Sequence, residues 1–111
     1  MLKFEEIILK IIAEAGQSKS LCYQALRVLN EGDLEQAREH LARAEELLRG
    51  VHEVHAGLLH DNVIPSDPKE MFLLVHAEDI FMSTMTEKEL IKGFLNYVEN
   101  NRACKNSDDN K

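Results

Sequence analysis

Apolar residues return along the first half of the chain in alternating steps of three and four. Phe4, Ile8, Ile11, Ala15, Ser18, Cys22, Ala25 and Leu29 form one such seam, and Leu34, Ala37, Leu41, Ala44, Leu48, Val51, His55 and Leu58 form a second. This rhythm puts every member on one face of a helix that packs at a shallow angle, as in bundles and coiled coils. Two interruptions divide the pattern. Asn30-Glu31-Gly32-Asp33 reads as a glycine stop followed by an aspartate N-cap. Asp67-Pro68-Lys69-Glu70 reads as a helix start, with Asp at the cap, Pro at the first helical position and Glu three residues after the cap. The spacing therefore predicts helices over about Phe4–Asn30, Leu34–His60 and Pro68–Asn101. Short connections make neighbours antiparallel, so the expected fold is an all-α, up-down-up three-helix bundle over residues 1–101. Residues 102–111 are polar and are expected to form a disordered tail.

The third segment breaks the rule of one apolar seam. Met71, Phe72, Leu73, Leu74, Val75, Ile80, Phe81, Met82 and Met85 surround the helix nearly completely. A bundle seam covers only part of a helix, so the excess predicts a second buried face. A homo-oligomer with helix three near its symmetry axis accounts for it most simply.

Composition narrows the function classes. The 111 residues suffice for one core, and the net charge of -7 comes with dispersed Lys and Arg rather than a basic stripe. Nucleic-acid binding is not expected from such a chain, nor is attraction to an anionic membrane. The longest apolar runs are too short to cross a bilayer and the N-terminus lacks the pattern of a secretory signal, which predicts a cytoplasmic protein without membrane insertion. Cys22 lies in a helical apolar pattern and Cys104 in the polar tail, so neither a disulfide framework nor a thiolate metal pair is expected.

Three ionisable residues interrupt the apolar stretch: His76, Glu78 and Asp79. Helical spacing aligns His76, Asp79 and Ser83, while Glu78 is rotated about 200° from His76. Asp79 also continues the line Phe72, Val75, Asp79, Met82. Buried alone there, a carboxylate would cost several kcal/mol, roughly, so it requires a cation, a metal or a proton. Repeated around an axis, it would suit a hard divalent ion. On the residues alone the plainer reading is favoured, in which His76 and Asp79 are a polar pair at a partly wet surface. His52 and His55 read as a flanking and a seam histidine rather than half a metal site, and His40 and His60 as surface or helix-end residues.

The segment Val75-His76-Ala77-Glu78-Asp79-Ile80-Phe81-Met82-Ser83-Thr84 resembles the signature around the phosphorylated histidine of lactose/cellobiose-type enzyme IIA proteins of the bacterial phosphotransferase system. That pattern is roughly His-small-Gln-Asp-x-Leu-Met-Thr. Ala15-Gly16-Gln17-Ser18-Lys19-Ser20-Leu21, the Glu31-Gly32-Asp33 turn and His52 late in helix two are similar to the family as well, and the likeness covers residues 4 to 100. The resemblance implies a homotrimer with helix three near the axis. It implies that His76 takes a phosphoryl group from HPr and gives it to a cysteine of enzyme IIB, and that three copies of Asp79 bind one Mg2+ per trimer. Ser83, Thr84 or helix N-terminal amides of a neighbouring subunit are candidate stabilisers of the phosphoryl group. Two residues depart from the family pattern: Glu78 and His55 each stand where the family usually has Gln. A non-catalytic regulator built on the same bundle, and a plain scaffold, are the alternatives. The transported sugar is not fixed by these residues.

Overall fold

The computed structural model describes residues 4–109, with side chains through Arg102. Three helices follow one another: α1 (Phe4–Asn30), α2 (Leu34–His60) and α3 (Pro68–Asp109). Their ends form as the local sequence dictates. Gly32 takes φ +92°, a left-handed conformation that costs a glycine little, and Asp33 Oδ1 accepts from Gln36 N at 3.0 Å to cap α2. At the start of α3, Asp67 Oδ1 accepts from Glu70 N at 2.8 Å, and Glu70 reaches back to Ser66 N at 2.9 Å.

The predicted seams are the core. Ile8, Ile11, Ala15, Ser18, Cys22, Ala25 and Leu29 of α1 are buried, and so are Ala37, Leu41, Ala44, Leu48, Val51 and Leu58 of α2. Small residues recur on both seams, which lets α1 and α2 approach closely. Ser18 is the polar exception, and its hydroxyl donates to the Ala44 carbonyl at 2.8 Å. That bond offsets the cost of burying it and ties α1 to α2. Burial pushes the Cys22 thiol pKa up, which leaves it an inert core group.

The end of α3 differs from the sequence expectation. The helix does not stop near Asn101 but continues to Asp109, so most of the 102–111 stretch expected to be a disordered tail is helical; residues 110–111 lie outside the described ones. No Gly or Pro follows Gly93 to end the helix, and Arg, Ala and Lys sustain it. Arg102 Nη2 also donates to the Gly32 carbonyl at 2.8 Å, anchoring α3 to the α1–α2 turn. Among the described residues, no helix is long and apolar enough to cross a membrane.

α3 packs on α1 far more than on α2. Its inner face consists of Ala77, Phe81, Thr84, Ile91 and Leu95, all buried. The opposite face carries Phe72, Val75, Asp79, Met82, Leu90 and Tyr97, all exposed in the single chain. At about 100° per residue the two sets centre on nearly opposite directions. Helix three is thus two-faced, as its all-round apolar pattern demands.

Candidate functional site

His76 lies at the edge of the outer face of α3, and its side chain is exposed. The neighbouring α1 defines that edge. Two turns farther along the same stripe, Ser83 Oγ accepts from Lys19 Nζ at 3.1 Å, and Lys19 also pairs with Glu87. Burial is the largest influence on Glu87 and works to raise its pKa, but hydrogen bonds from Lys19 and Tyr23 and the Lys19 charge together outweigh it and leave the carboxyl below its ordinary value. Lys69, two turns before His76, pairs with Glu5 at 3.4 Å. The stripe bearing His76 is therefore bounded at each end by a lysine from one helix held by a carboxylate on the other.

Asp79 sits one turn on, in the middle of the outer apolar line. It is exposed, and it forms no ion pair with any described residue. The cost argued from sequence does not arise within one chain, because the line Phe72, Val75, Asp79, Met82 is not a seam of the subunit core. It arises only when another surface covers that line. Among the described residues, no group of three or more His, Cys, Asp or Glu side chains gathers to hold a metal ion.

The two hydroxyl candidates separate. Thr84 is fully buried, and its Oγ1 donates to the Ile80 carbonyl at 2.6 Å. It faces the core and cannot meet a group on His76. Ser83 is exposed on the histidine's own stripe. The histidines of α2 fall as expected, with His55 half-buried on the seam and His52 exposed beside it. Both rings tilt against Phe81, with centroids at 5.7 Å and 6.3 Å. His60 is exposed at the C-terminal end of α2, next to Asp61 at 3.2 Å.

Two contacts were not foreseen. One is the Lys19–Ser83–Glu87 cluster. The other brings together both departures from the family pattern: His55 Nε2 lies 3.5 Å from Glu78 Oε1, across the groove between α2 and α3. The antiparallel register of those helices carried a usable signal, since pairing Arg38 with Glu99 and Glu45 with Lys92 brings residue 55 close to the level of residue 78.

Comparison with known proteins places this geometry. The family model for the lactose/cellobiose-specific IIA subunit of the phosphotransferase system matches residues 6–99. The chain is 34% identical over 91 residues to the oligo-beta-mannoside-specific EIIA component of Bacillus subtilis, covering 82% of this chain and 83% of that protein. It is 30% identical over 101 residues to the N,N'-diacetylchitobiose-specific EIIA component of Escherichia coli, covering 91% of this chain and 87% of that one. The crystal structure of the cellobiose-specific enzyme IIA from Bacillus anthracis superposes with a TM-score of 0.79 at 25% identity, covering 93% of this chain and 94% of that one. An exposed histidine on the third helix of such a bundle agrees with these matches in sequence, length and fold: the chain belongs to the lactose/cellobiose-specific IIA family and is a phosphocarrier of the phosphotransferase system.

Proposed function

We propose that His76 is the phosphoryl acceptor, loaded by phospho-HPr and unloaded by a cysteine of enzyme IIB during sugar import in the cytoplasm. The observation that carries this reading is its position. His76 is exposed, within the stretch that matches the family signature, and beside rather than inside the subunit core. A carrier that serves two partners in turn needs a reactive ring that both can reach.

A neutral imidazole suits the task near pH 7. A ring nitrogen of His76 attacks phosphorus as the N–P bond of the donor's phosphohistidine breaks, and the electron pair of that bond stays on the donor ring. In the second step a thiolate of enzyme IIB attacks, and the pair returns to His76. Such transfers depend mainly on in-line placement and on stabilising the charge of the moving group. Of the two hydroxyl candidates only Ser83 is exposed on the His76 stripe, two turns along and bonded to Lys19 of α1, whereas Thr84 is buried.

The same reading includes a homotrimer with α3 near its axis. The exposed line Phe72, Val75, Asp79, Met82, Thr86 follows the three-four spacing of a coiled-coil seam, and Leu90 and Tyr97 extend the apolar surface. From Phe72 to Tyr97 this stripe runs about 38 Å along the helix, more apolar surface than a monomer normally leaves in water. Three parallel copies would bring three Asp79 carboxylates to one level. Oxygen donors of that kind fit Mg2+, which would offset two of their three negative charges and lower the cost of burying the carboxylates. In this reading Asp79 shapes the assembly around His76 and takes no part in the bond changes.

The test is incubation with phosphoenolpyruvate, enzyme I and HPr, followed by intact mass. One phosphate should be gained, and His76→Ala should abolish the gain. Wild-type protein that stays unmodified, or a His76→Ala variant that is still phosphorylated, would sink the assignment.

A further inference from the structure

Glu78 follows His76 by two residues and leaves the helix on nearly the opposite side. Its carboxylate lies 3.5 Å from His55 of α2, with the two side chains 46% and 21% exposed. His55 is itself held, because its ring tilts at 53° against the buried Phe81. The groove around the pair is otherwise lined by Phe4 of α1, Leu58 and Leu59 of α2, Leu74 of α3 and loop residues 62–64. Among the described residues that line it, His55 and Glu78 are the two that can hydrogen-bond across the groove through charged or ionisable side chains.

The α2–α3 interface is the thinnest of the three, and around Glu78 its core side is formed by Ala77 and, one turn on, by Phe81, which limit rotation of the helix about its axis from the inside. A tie from Glu78 to α2 resists it well, because it acts at the helix surface, away from the axis. His76 moves with any such rotation. A ring about 6 Å from the axis shifts roughly 1.5 Å for a turn of about 15°, and misplacement of that order slows in-line transfer markedly.

We infer that Glu78 and His55 act as a positioning pair for His76, fixing the rotation of the α3 turn that presents the ring. This rests on the reading of His76 as the acceptor. The pair works as a unit, so replacing one member alone leaves the other without its partner across the groove.

The experiment measures phosphoryl acceptance from phospho-HPr by wild type, His55→Ala, Glu78→Ala and the double variant His55→Gln/Glu78→Gln, whose amides can hydrogen-bond across the same gap. Each alanine variant should lower the maximal rate about fivefold with KM for phospho-HPr unchanged. The double glutamine variant should return to within about twofold of wild type. The ring 15N resonances of His76 should shift in both alanine variants and return in the double one. Circular dichroism checks that every variant keeps its helix content, and Glu78→Leu, which favours helix and cannot hydrogen-bond, replaces Glu78→Ala should the latter lose it. Alanine variants with wild-type rates, an effect confined to KM, or a double glutamine variant as slow as the single ones would each overturn the inference. His76→Ala run in parallel separates the two readings: if it still accepts phosphate, the acceptor assignment fails first.

Discussion

The inner and outer faces of α3 are built from much the same apolar residue types, yet they meet opposite fates. Ala77, Phe81, Thr84, Ile91 and Leu95 are buried against α1 and α2, while Phe72, Val75, Met82, Leu90 and Tyr97 stand exposed. Their polar members explain the difference in role. Thr84 on the inner face satisfies its hydroxyl within its own helix, at the Ile80 carbonyl, so burial costs it little. Asp79 on the outer face carries a full charge that no backbone carbonyl can satisfy. One face is covered within a single chain, and the other stays exposed in it. His76 sits at the seam between them and belongs to neither.

The comparison can be broken most forcefully from the inside. Phe81→Ala should destabilise the fold by about 3–5 kcal/mol, because it opens a cavity beneath both His52 and His55; thermal unfolding with wild-type and variant side by side checks this. An equally drastic change outside, Val75→Glu with Met82→Glu, should leave the helix content of the single chain intact and abolish self-association. Sedimentation reads it, and helix loss without dissociation would mean the outer line also stabilises the subunit. Asp79→Leu should preserve the trimer, since an apolar residue suits the line, and eliminate Mg2+ binding in calorimetry. A monomeric Asp79→Leu variant would give the carboxylate a larger part in assembly than proposed.

The smallest effect concerns the edge shared by α1 and α3. The Glu87 pKa is lowered in the folded chain, so its stabilising pairing with Lys19 is present above the ordinary carboxylate range and lost as pH falls through the lowered value. Wild type should therefore lose up to about 1 kcal/mol more stability than Glu87→Gln on acidification from pH 6 to about 3. Chemical denaturation at the two pH values measures it, and equal losses would mean the pair contributes nothing.

Most of the bundle was legible in the chain because helical packing is written in a short period. The α1 and α2 seams, the Gly32 turn and the Asp33 and Asp67 caps are local patterns, each set by a few consecutive residues. The end of α3 was misread because a polar composition argues against burial but not against a helix, and Arg102 finds its partner seventy residues away, at Gly32. The site divides in the same manner. His76 and Asp79 stood out as ionisable residues in an apolar helix and through their likeness to a family signature. The meeting of His55 with Glu78 depends on the register between two helices, and the burial of Thr84 beside exposed Ser83 depends on which side of α3 the core takes.

The sequence by itself determined three helices, their limits apart from the last, the composition of the α1 and α2 seams, and an unusual surplus of apolar residues on α3. It could do so because side chains three and four apart share a face whatever surrounds them. Only the tertiary structure decided which half of that surplus is core. The choice follows from where α1 and α2 lie, and it sets Asp79 outward, Thr84 inward and His76 at the boundary. Rotation of a helix about its axis leaves its own hydrogen bonds unchanged, so only its packed neighbours can fix it.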